Sequence, residues 1–290
     1  MLDKQVTNAL LRVAGEDASI TQLAPLAGGS INRAFAVEFD RHRSLFIKIA
    51  RTNTHCPGMF IAEARALRTI ANSNTICVPD IYYADEQCLI QSLFEHQPKA
   101  SNWYEQLGHD LALMHQAIRS PCFGDFDDNY LGTSPQRNSQ CNDWEHFWCE
   151  YRLRPQISTL CEQLGFDDKL IALLDTLSVR LNIYLGGWTE PPVFVHGDLW
   201  SGNAAAVEGG RPIIFDPASY FASREVEFGM MRLFGGFGQR TEAAYQEVWP
   251  FEADSDARIE LYRLYHLLNH LILFGGAYYA DAVDCVSRLV

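Results

Sequence analysis

The sequence predicts an α+β fold in two lobes, a small sheet-bearing lobe over residues 1–96 and a larger, mainly helical lobe over residues 97–290. Three observations predict it. Short apolar runs of strand length crowd the first hundred residues, whereas helical spacing dominates from Trp103 onward. The two patterns meet between Phe94 and Ala100. A chain of 290 residues is also long enough for two lobes that share a cleft.

The elements follow in order. The N-terminal stretch MLDKQVTNALLRVAGEDASI lacks the basic start and apolar run of a leader and reads as a short amphipathic helix. Ala34–Glu38 and Leu45–Ala50 are apolar runs parted by Asp40-Arg41-His42-Arg43, a hairpin pattern. Met59–Ala71 places Phe60, Ala64, Leu67 and Ala71 on one helical face. Ile81–Ala84 and Cys88–Leu93 are two more strands, separated by Asp85-Glu86-Gln87. Helices are expected over Trp103–Ile118, over Trp144–Leu164 with a break or kink near Pro155, and over Lys169–Tyr184. Gly186-Gly187 and Pro191-Pro192 bound a break. Two short strands, Val193–Val195 and Pro212–Phe215, lead directly into His196-Gly197-Asp198 and Asp216-Pro217. The pattern turns helical again from about Glu225 and ends in a helical stretch over Ala257–Val290.

Composition narrows the function classes. Hydrophobic residues at 48% and charged residues at 20% describe a folded chain rather than a disordered one. The 36 acidic groups exceed the 23 basic ones, giving a net charge of −13. Such a surface repels nucleic acid and anionic membranes, so neither is expected as a partner. It also means that a polyphosphate site must bring its own positive charge. The eight cysteines include no CxxC pair, and a chain of this length needs no disulfide staples, so free thiols and a cytoplasmic location are expected. The longest apolar tract, near Leu267–Ala280, is interrupted by Asn269, His270, Gly275 and Gly276 and reads as a buried helix rather than a membrane span.

The chemistry-bearing residues cluster after the two late strands. Asp198, Asn203 and Asp216 form a D-x₄-N pattern followed thirteen residues later by a strand-borne Asp. Phosphoryl transfer needs a carboxylate to orient an attacking hydroxyl and take its proton, and oxygen ligands to hold Mg²⁺ against phosphates. The spacing is that of protein kinases, which makes Asp198 the base and Asn203 and Asp216 the metal ligands. Lys48 lies inside the apolar strand Leu45–Ala50, where an unpaired ammonium is costly. Glu63 follows fifteen residues later in the first long helix, and a strand lysine paired with a helix glutamate fixes the lysine on nucleotide phosphates.

Gly28, Gly29, Ser30 and Asn32 precede the first of these strands, where glycines let backbone N–H groups approach a phosphate. Neither a dinucleotide fingerprint nor a P-loop is present. The adenine of ATP is expected between the lobes, against Gln91, Ser92 and Leu93, a placement by analogy. The nine histidines include no HExxH motif, so a catalytic zinc is not expected. His266 and His270 lie four apart on one helical face, a spacing that suits a metal, packing or a hydrogen bond to substrate.

With these residues in place, the chain resembles the fructosamine kinase, or ketosamine-3-kinase, family of the protein-kinase-like superfamily, which also holds aminoglycoside and choline kinases. The resemblance rests on GGSINRAF (28–35), FIK (46–48), MFIAEARAL (59–67), DNYLGTSPQRN (128–138), DWEHFWCEYRLRPQ (143–156), HGDLWSGN (196–203), IIFDPASYFASREVEFGMMRLFGGF (213–237) and LYRLYHLLNHLILFGG (261–276). It implies a kinase dependent on ATP and Mg²⁺ that phosphorylates the C3 hydroxyl of free or protein-bound ketosamines. The 3-phosphate then decomposes and releases the amine. It also implies Asp198 as base, Asn203 and Asp216 as metal ligands, Lys48 and Glu63 as the phosphate-binding pair, and residues 91–93 against adenine. Trp200 resembles a sugar-facing aromatic, with a purely structural role as its rival, and His270 is a second candidate on the substrate side. A monomer or weak dimer is expected.

Two departures stand out. Glu227 occupies a position where the family usually has Asp, and Ala222-Ser223 stands in place of Gly-Asp, which bears on specificity more than on chemistry. Positions 28–32 contain no cysteine, so no thiol switch is expected there. Two rival readings remain: a kinase of another hydroxylated small molecule, such as an aminoglycoside or a sugar, and a catalytically silent nucleotide-binding regulator.

Overall fold

The computed structural model describes residues 2–26, 31–40, 44–51, 56–165 and 168–290. The first helix, α1 (Lys4–Ala14), is capped by Asp3, whose side chain accepts the Gln5 N–H. Val6, Ala9 and Leu10 form its buried stripe. A five-stranded antiparallel sheet follows, built from β1 (Ile20–Leu26), β2 (Arg33–Phe39), β3 (Ser44–Ile49), β4 (Ile81–Ala84) and β5 (Cys88–Ser92) in the order β1-β2-β3-β5-β4. Helix α2 (Met59–Asn72) lies between β3 and β4 in sequence.

The strand β1 has no counterpart in the sequence expectation. Its residues alternate weakly and stay half-exposed, and Pro25 is tolerated because β1 is an edge. The expected turn over Asp40-Arg41-His42-Arg43 lies largely outside the described residues, as do Gly28, Gly29 and Ser30. In the sheet, Leu45 and Ile47 bury against α1 with Val37, Cys88 and Ile90. The pleat therefore turns Lys48 to the opposite face, opposite Leu89, which packs on Phe60 and Ala64 of α2.

The remaining chain is mainly helical, with short hairpins at the cleft. Helix α3 (Trp103–Ala117) is followed by the hairpin β6 (Asn129–Leu131) and β7 (Ser134–Gln136), strands too short for their pattern to register in sequence. The helix expected over 144–164 is α4 (Trp144–Trp148), a π-helical turn over Cys149–Leu153, and α5 (Arg154–Leu164), with Pro155 in the first turn of α5. Proline cannot donate to the carbonyl four residues back and crowds it. The Tyr151 carbonyl instead accepts Arg152 Nη1 at 2.9 Å.

The helix expected over 169–184 is interrupted at residues 179–181, leaving α6 (Lys169–Ser178) and α7 (Asn182–Leu185). Next come β8 (Val193–Val195), β9 (Ala204–Val207), β10 (Arg211–Ile214) and β11 (Tyr220–Ala222), paired as β8 with β11 and β9 with β10. The chain closes with α8 (Val226–Leu233), α9 (Gly238–Val248), α10 (Ser255–Phe274) and α11 (Tyr279–Ser287). Helices α3 and α9 meet closely because Gly108 has no side chain: a Cβ there would lie 2.0 Å from the Thr241 carbonyl oxygen. All eight cysteines are free thiols. Among the described residues, no helix is long and apolar enough to cross a membrane.

Candidate active site

Strand β3 turns Lys48 to the α2 side of the sheet, where the residue is only 8% exposed and its ammonium needs partners. It has two. Lys48 Nζ donates to Glu63 Oε1 of α2 at 2.6 Å and to Asp216 Oδ1 at 2.6 Å, so one charge joins the sheet, α2 and the loop after β10. Burial works to lower the lysine's pKa, but the Asp216 and Glu63 carboxylates outweigh it, and Lys48 stays charged well above its ordinary range. Burial pushes the Glu63 carboxyl up to about 7 against the pull of Lys48, with Asp216 adding to the rise.

Asp216 follows β10 with φ of +60°, in the left-handed region that a non-glycine residue enters at a cost. Its side chain remains 39% exposed, open to the cleft. The stretch between β8 and β9 carries the other groups. Gly197 turns at φ +82°, and a Cβ there would lie 2.3 Å from the Ala218 carbonyl oxygen. Asn203 Nδ2 donates to the Asp198 carbonyl at 2.9 Å and to Asp198 Oδ2 at 3.2 Å. The Phe215 N–H donates to the Asn203 carbonyl at 3.0 Å, which ties this loop to the residue preceding Asp216. Burial, and then the Asp216 charge, push the Asp198 carboxyl well above the usual carboxylate range, while the Asn203 bond opposes the rise.

A buried carboxylate not singled out as a loop anchor holds this segment from behind. Glu227 at the start of α8 is fully buried, and its two oxygens accept the His196 N–H at 2.6 Å and the Gly197 N–H at 3.0 Å. His115 of α3, also fully buried, places Nε2 at 3.5 Å from Glu227 and pairs through Nδ1 with the Tyr245 hydroxyl at 2.9 Å. Burial opposes the Glu227 charge, but His115, His196 and the backbone donors hold its carboxyl below the usual range. The same burial lowers His115. The only hint in sequence was negative: Glu227 registered as a departure from a family pattern, and His115 is an ordinary histidine in an apolar helix. Ser223, the other departure, is buried beside Ala222 and accepts the Glu225 N–H at 3.3 Å.

Of the residues expected on the nucleotide side, Asn32 lies beside α2, donating to Met59 Sδ at 3.6 Å, while its buried Oδ1 has no partner among the described residues. Gln91 and Ser92 lie inside β5, paired with Phe46 and Leu45. Ser92 also exchanges bonds with Asp80, so the chain leaves the sheet at Leu93. Gln91 shares the cleft face with Lys48, and its Oε1 is buried without a partner. Phe94 then meets Phe215 in a tilted ring contact at 5.4 Å.

On the other side of Asp198, Trp200 lies over Gly202 and meets Phe234 edge-on at 6.1 Å, and Phe234 meets His270 at 4.9 Å. Trp200 and His270 thus belong to one aromatic row that also includes Phe274 and Tyr278. His270 Nδ1 is taken by the His266 carbonyl at 2.8 Å, and His266 is buried. Among the described residues, no group of three or more His, Cys, Asp or Glu residues is placed to hold a metal. Asp198, Asn203 and Asp216 offer a mixed set of two carboxylates and a carboxamide, all hard oxygen donors of the kind that Mg²⁺ takes.

The chain is similar to known proteins over nearly its full length. A chloroplastic protein-ribulosamine 3-kinase of Arabidopsis thaliana is 35% identical, covering 94% of this chain and 84% of its own length. A crystal structure described as a fructosamine-3-kinase from Thermobifida fusca YX-ER1 superposes with a TM-score of 0.88 at 28% identity, covering 100% of this chain and 99% of that one. An aminoglycoside phosphotransferase, at 17% identity and a TM-score of 0.67 over 98% of this chain and 96% of its own, shares the two-lobed protein-kinase-like fold. The fructosamine kinase family profile matches residues 2–290, and the chain belongs to that family.

Proposed function

We propose that the chain is an ATP-dependent phosphotransferase that phosphorylates the C3 hydroxyl of ketosamines, free or protein-bound. The observation that carries this reading is Lys48 held at 2.6 Å by both Glu63 and Asp216, beside the Asp198–Asn203 loop. In an acidic chain, Lys48 is a buried cation placed beside the Asp198–Asn203 loop to meet triphosphate oxygens, and Glu63 keeps it extended from the strand. The nucleotide-side lobe spans 1–96 and the acceptor-side lobe 97–290. The bond from Gln97 N–H to the Ala206 carbonyl at 2.8 Å supports a division there.

In the reaction, the sugar's C3 oxygen attacks the γ-phosphorus as the bond to the β–γ bridging oxygen breaks and ADP leaves. Asp198 orients the hydroxyl and takes its proton, and its raised pKa makes it the stronger base. Asn203 holds the Asp198 carboxylate in place, and Glu227 fixes the backbone of His196 and Gly197 ahead of it. Asn203 and Asp216 would hold Mg²⁺, which when bound offsets the charge of the phosphates. The glycine-rich residues 28–30 with Asn32 would cover the phosphates, adenine would lie against residues 91–93, and Trp200 and His270 would face the sugar. The eight free thiols support a cytoplasmic setting, and a monomer or weak dimer is proposed.

The test is a panel of ribulosamine, fructosamine and aminoglycoside acceptors with ³¹P detection of product. Phosphorylation of a ketosamine at C3 supports the reading. Turnover of aminoglycosides with none on ketosamines would replace it with the rival acceptor class, and ATP binding without any turnover would replace it with the silent regulator.

A further inference from the structure

Helix α2 carries Glu63, and a second charged contact ties this helix to the acceptor side. Residues two apart on a helix face different sides. Glu63 meets Lys48 under the sheet, whereas Arg65 reaches across to the loop that precedes β6. Arg65 Nη2 donates to Asp125 Oδ2 at 3.0 Å, and Arg65 Nη1 donates to Asp127. Asp125 is already ordered: its side chain is buried, and its Oδ1 accepts the Phe126 N–H at 2.8 Å.

The loop itself is anchored. Gly124 and Phe221 exchange backbone hydrogen bonds at 2.9 Å in both directions, and Asp128 Oδ1 accepts the Asn138 N–H at 2.8 Å. Phe221 belongs to β11, whose partner β8 leads straight into His196 and Asp198. The loop that receives Arg65 is therefore tied to the same two-stranded ladder that presents Asp198. A second tie lies just before α2, where the Tyr130 hydroxyl donates to the Pro57 carbonyl at 3.1 Å.

We infer that Arg65 is a positioning residue, a latch that holds α2 against the acceptor-side lobe so that Glu63 stays on Lys48 before the nucleotide arrives. The inference rests on the proposed role of Lys48 and Glu63 in binding phosphates. A half-exposed ion pair ordinarily contributes little because two mobile side chains must be ordered and water screens them. Here the Asp125 carboxylate is ordered in advance, and the same guanidinium also reaches the exposed Asp127. The expected effect remains modest, and it falls on ATP rather than on the acceptor.

The experiment compares wild type, Arg65→Ala and Arg65→Lys as full chains. Initial rates are measured with ATP and ketosamine varied separately, and ATP binding with Mg²⁺ is measured by calorimetry without acceptor. Arg65→Ala should weaken ATP about fivefold in both KM and Kd, the upper range for a partly exposed pair. The KM for ketosamine should stay within about twofold and the melting temperature within about 2 °C, as for a surface substitution. Lysine, a point charge without the guanidinium's fork, should restore only part of the ATP affinity. In wild type, raising salt should bring the ATP Kd toward that of Arg65→Ala. An unchanged ATP Kd in Arg65→Ala overturns the latch, and so does a fall in melting temperature with both KM values shifted together. Calorimetry keeps this outcome separate from the acceptor assignment, since a wild type that binds ATP but ignores ketosamines still reports on Arg65.

Discussion

At the residue scale, the site is a set of charges that would be untenable singly. Asp198, Asp216 and Glu63 crowd one cleft, and Lys48 makes the arrangement stable by bonding two of them. Removing one member of such a buried set leaves the others uncompensated. Lys48→Met should lower kcat/KM for ATP by about a hundredfold, the loss typical of one charge-stabilising donor. Steady-state kinetics check this, and wild-type values in the variant would contradict the ion-pair role. Glu227 acts one layer back. Glu227→Leu strands the His196 and Gly197 N–H groups, each costing about 1–3 kcal/mol when buried without an acceptor. Its melting temperature should fall by about 5–10 °C and kcat should fall with it, read by calorimetry and rate assays. The residues that stood out in sequence are those whose chemistry is expensive where they sit: a lysine in an apolar strand, or carboxylates at strand ends. Glu227 stood out only as a departure from a family pattern and His115 not at all, because their partners are backbone atoms and side chains far away in the chain, which no local pattern encodes.

At the element scale, packing overrides propensity in two helices. Alanine is favoured over glycine inside a helix by about 1 kcal/mol, so propensity alone makes Gly108→Ala stabilising. The added Cβ would meet the Thr241 carbonyl at 2.0 Å, and overpacking of this kind costs about 1–3 kcal/mol or more. Urea unfolding should show a net loss of stability, and a gain would contradict the α3–α9 contact. In α10, burial holds His266 down to about 3, against an ordinary value of 6.5. The unfolded chain thus binds a proton between those values that the folded chain refuses. His266 therefore contributes full stability above pH 6.5, lost progressively as pH falls toward 3. The urea midpoint should drop between pH 7 and 5, and His266→Phe should flatten that slope; parallel slopes would contradict the assignment. Elements with strong periodicity, such as α2 and α3, were legible in sequence. The edge strand β1 was not, because its residues are half-exposed and give no alternation, and β6 and β7 are three residues each. The break at 179–181 between α6 and α7 likewise left no proline or glycine to mark it.

At the scale of the whole molecule, the architecture brings charges from the sheet and from the helical part into direct contact. The sheet supplies Lys48, the helical side supplies Asp198, Asn203 and Asp216, and α2 bridges them through Glu63 on one face and Arg65 on the other. With a net charge of −13 there is no broad basic surface to hold phosphates, so the proposed function has to concentrate phosphate affinity at Lys48 and a metal. The central claim is that Asp198 takes the proton of a ketosamine's C3 hydroxyl. It is tested most directly by ³¹P-monitored phosphorylation of a ribulosamine by wild type and by Asp198→Asn, with ATP affinity measured in parallel. Wild type should yield a C3 phosphate, and the variant should lose at least about a hundredfold in kcat with its ATP Kd nearly unchanged. A variant that turns over the ribulosamine at the wild-type rate would contradict the claim.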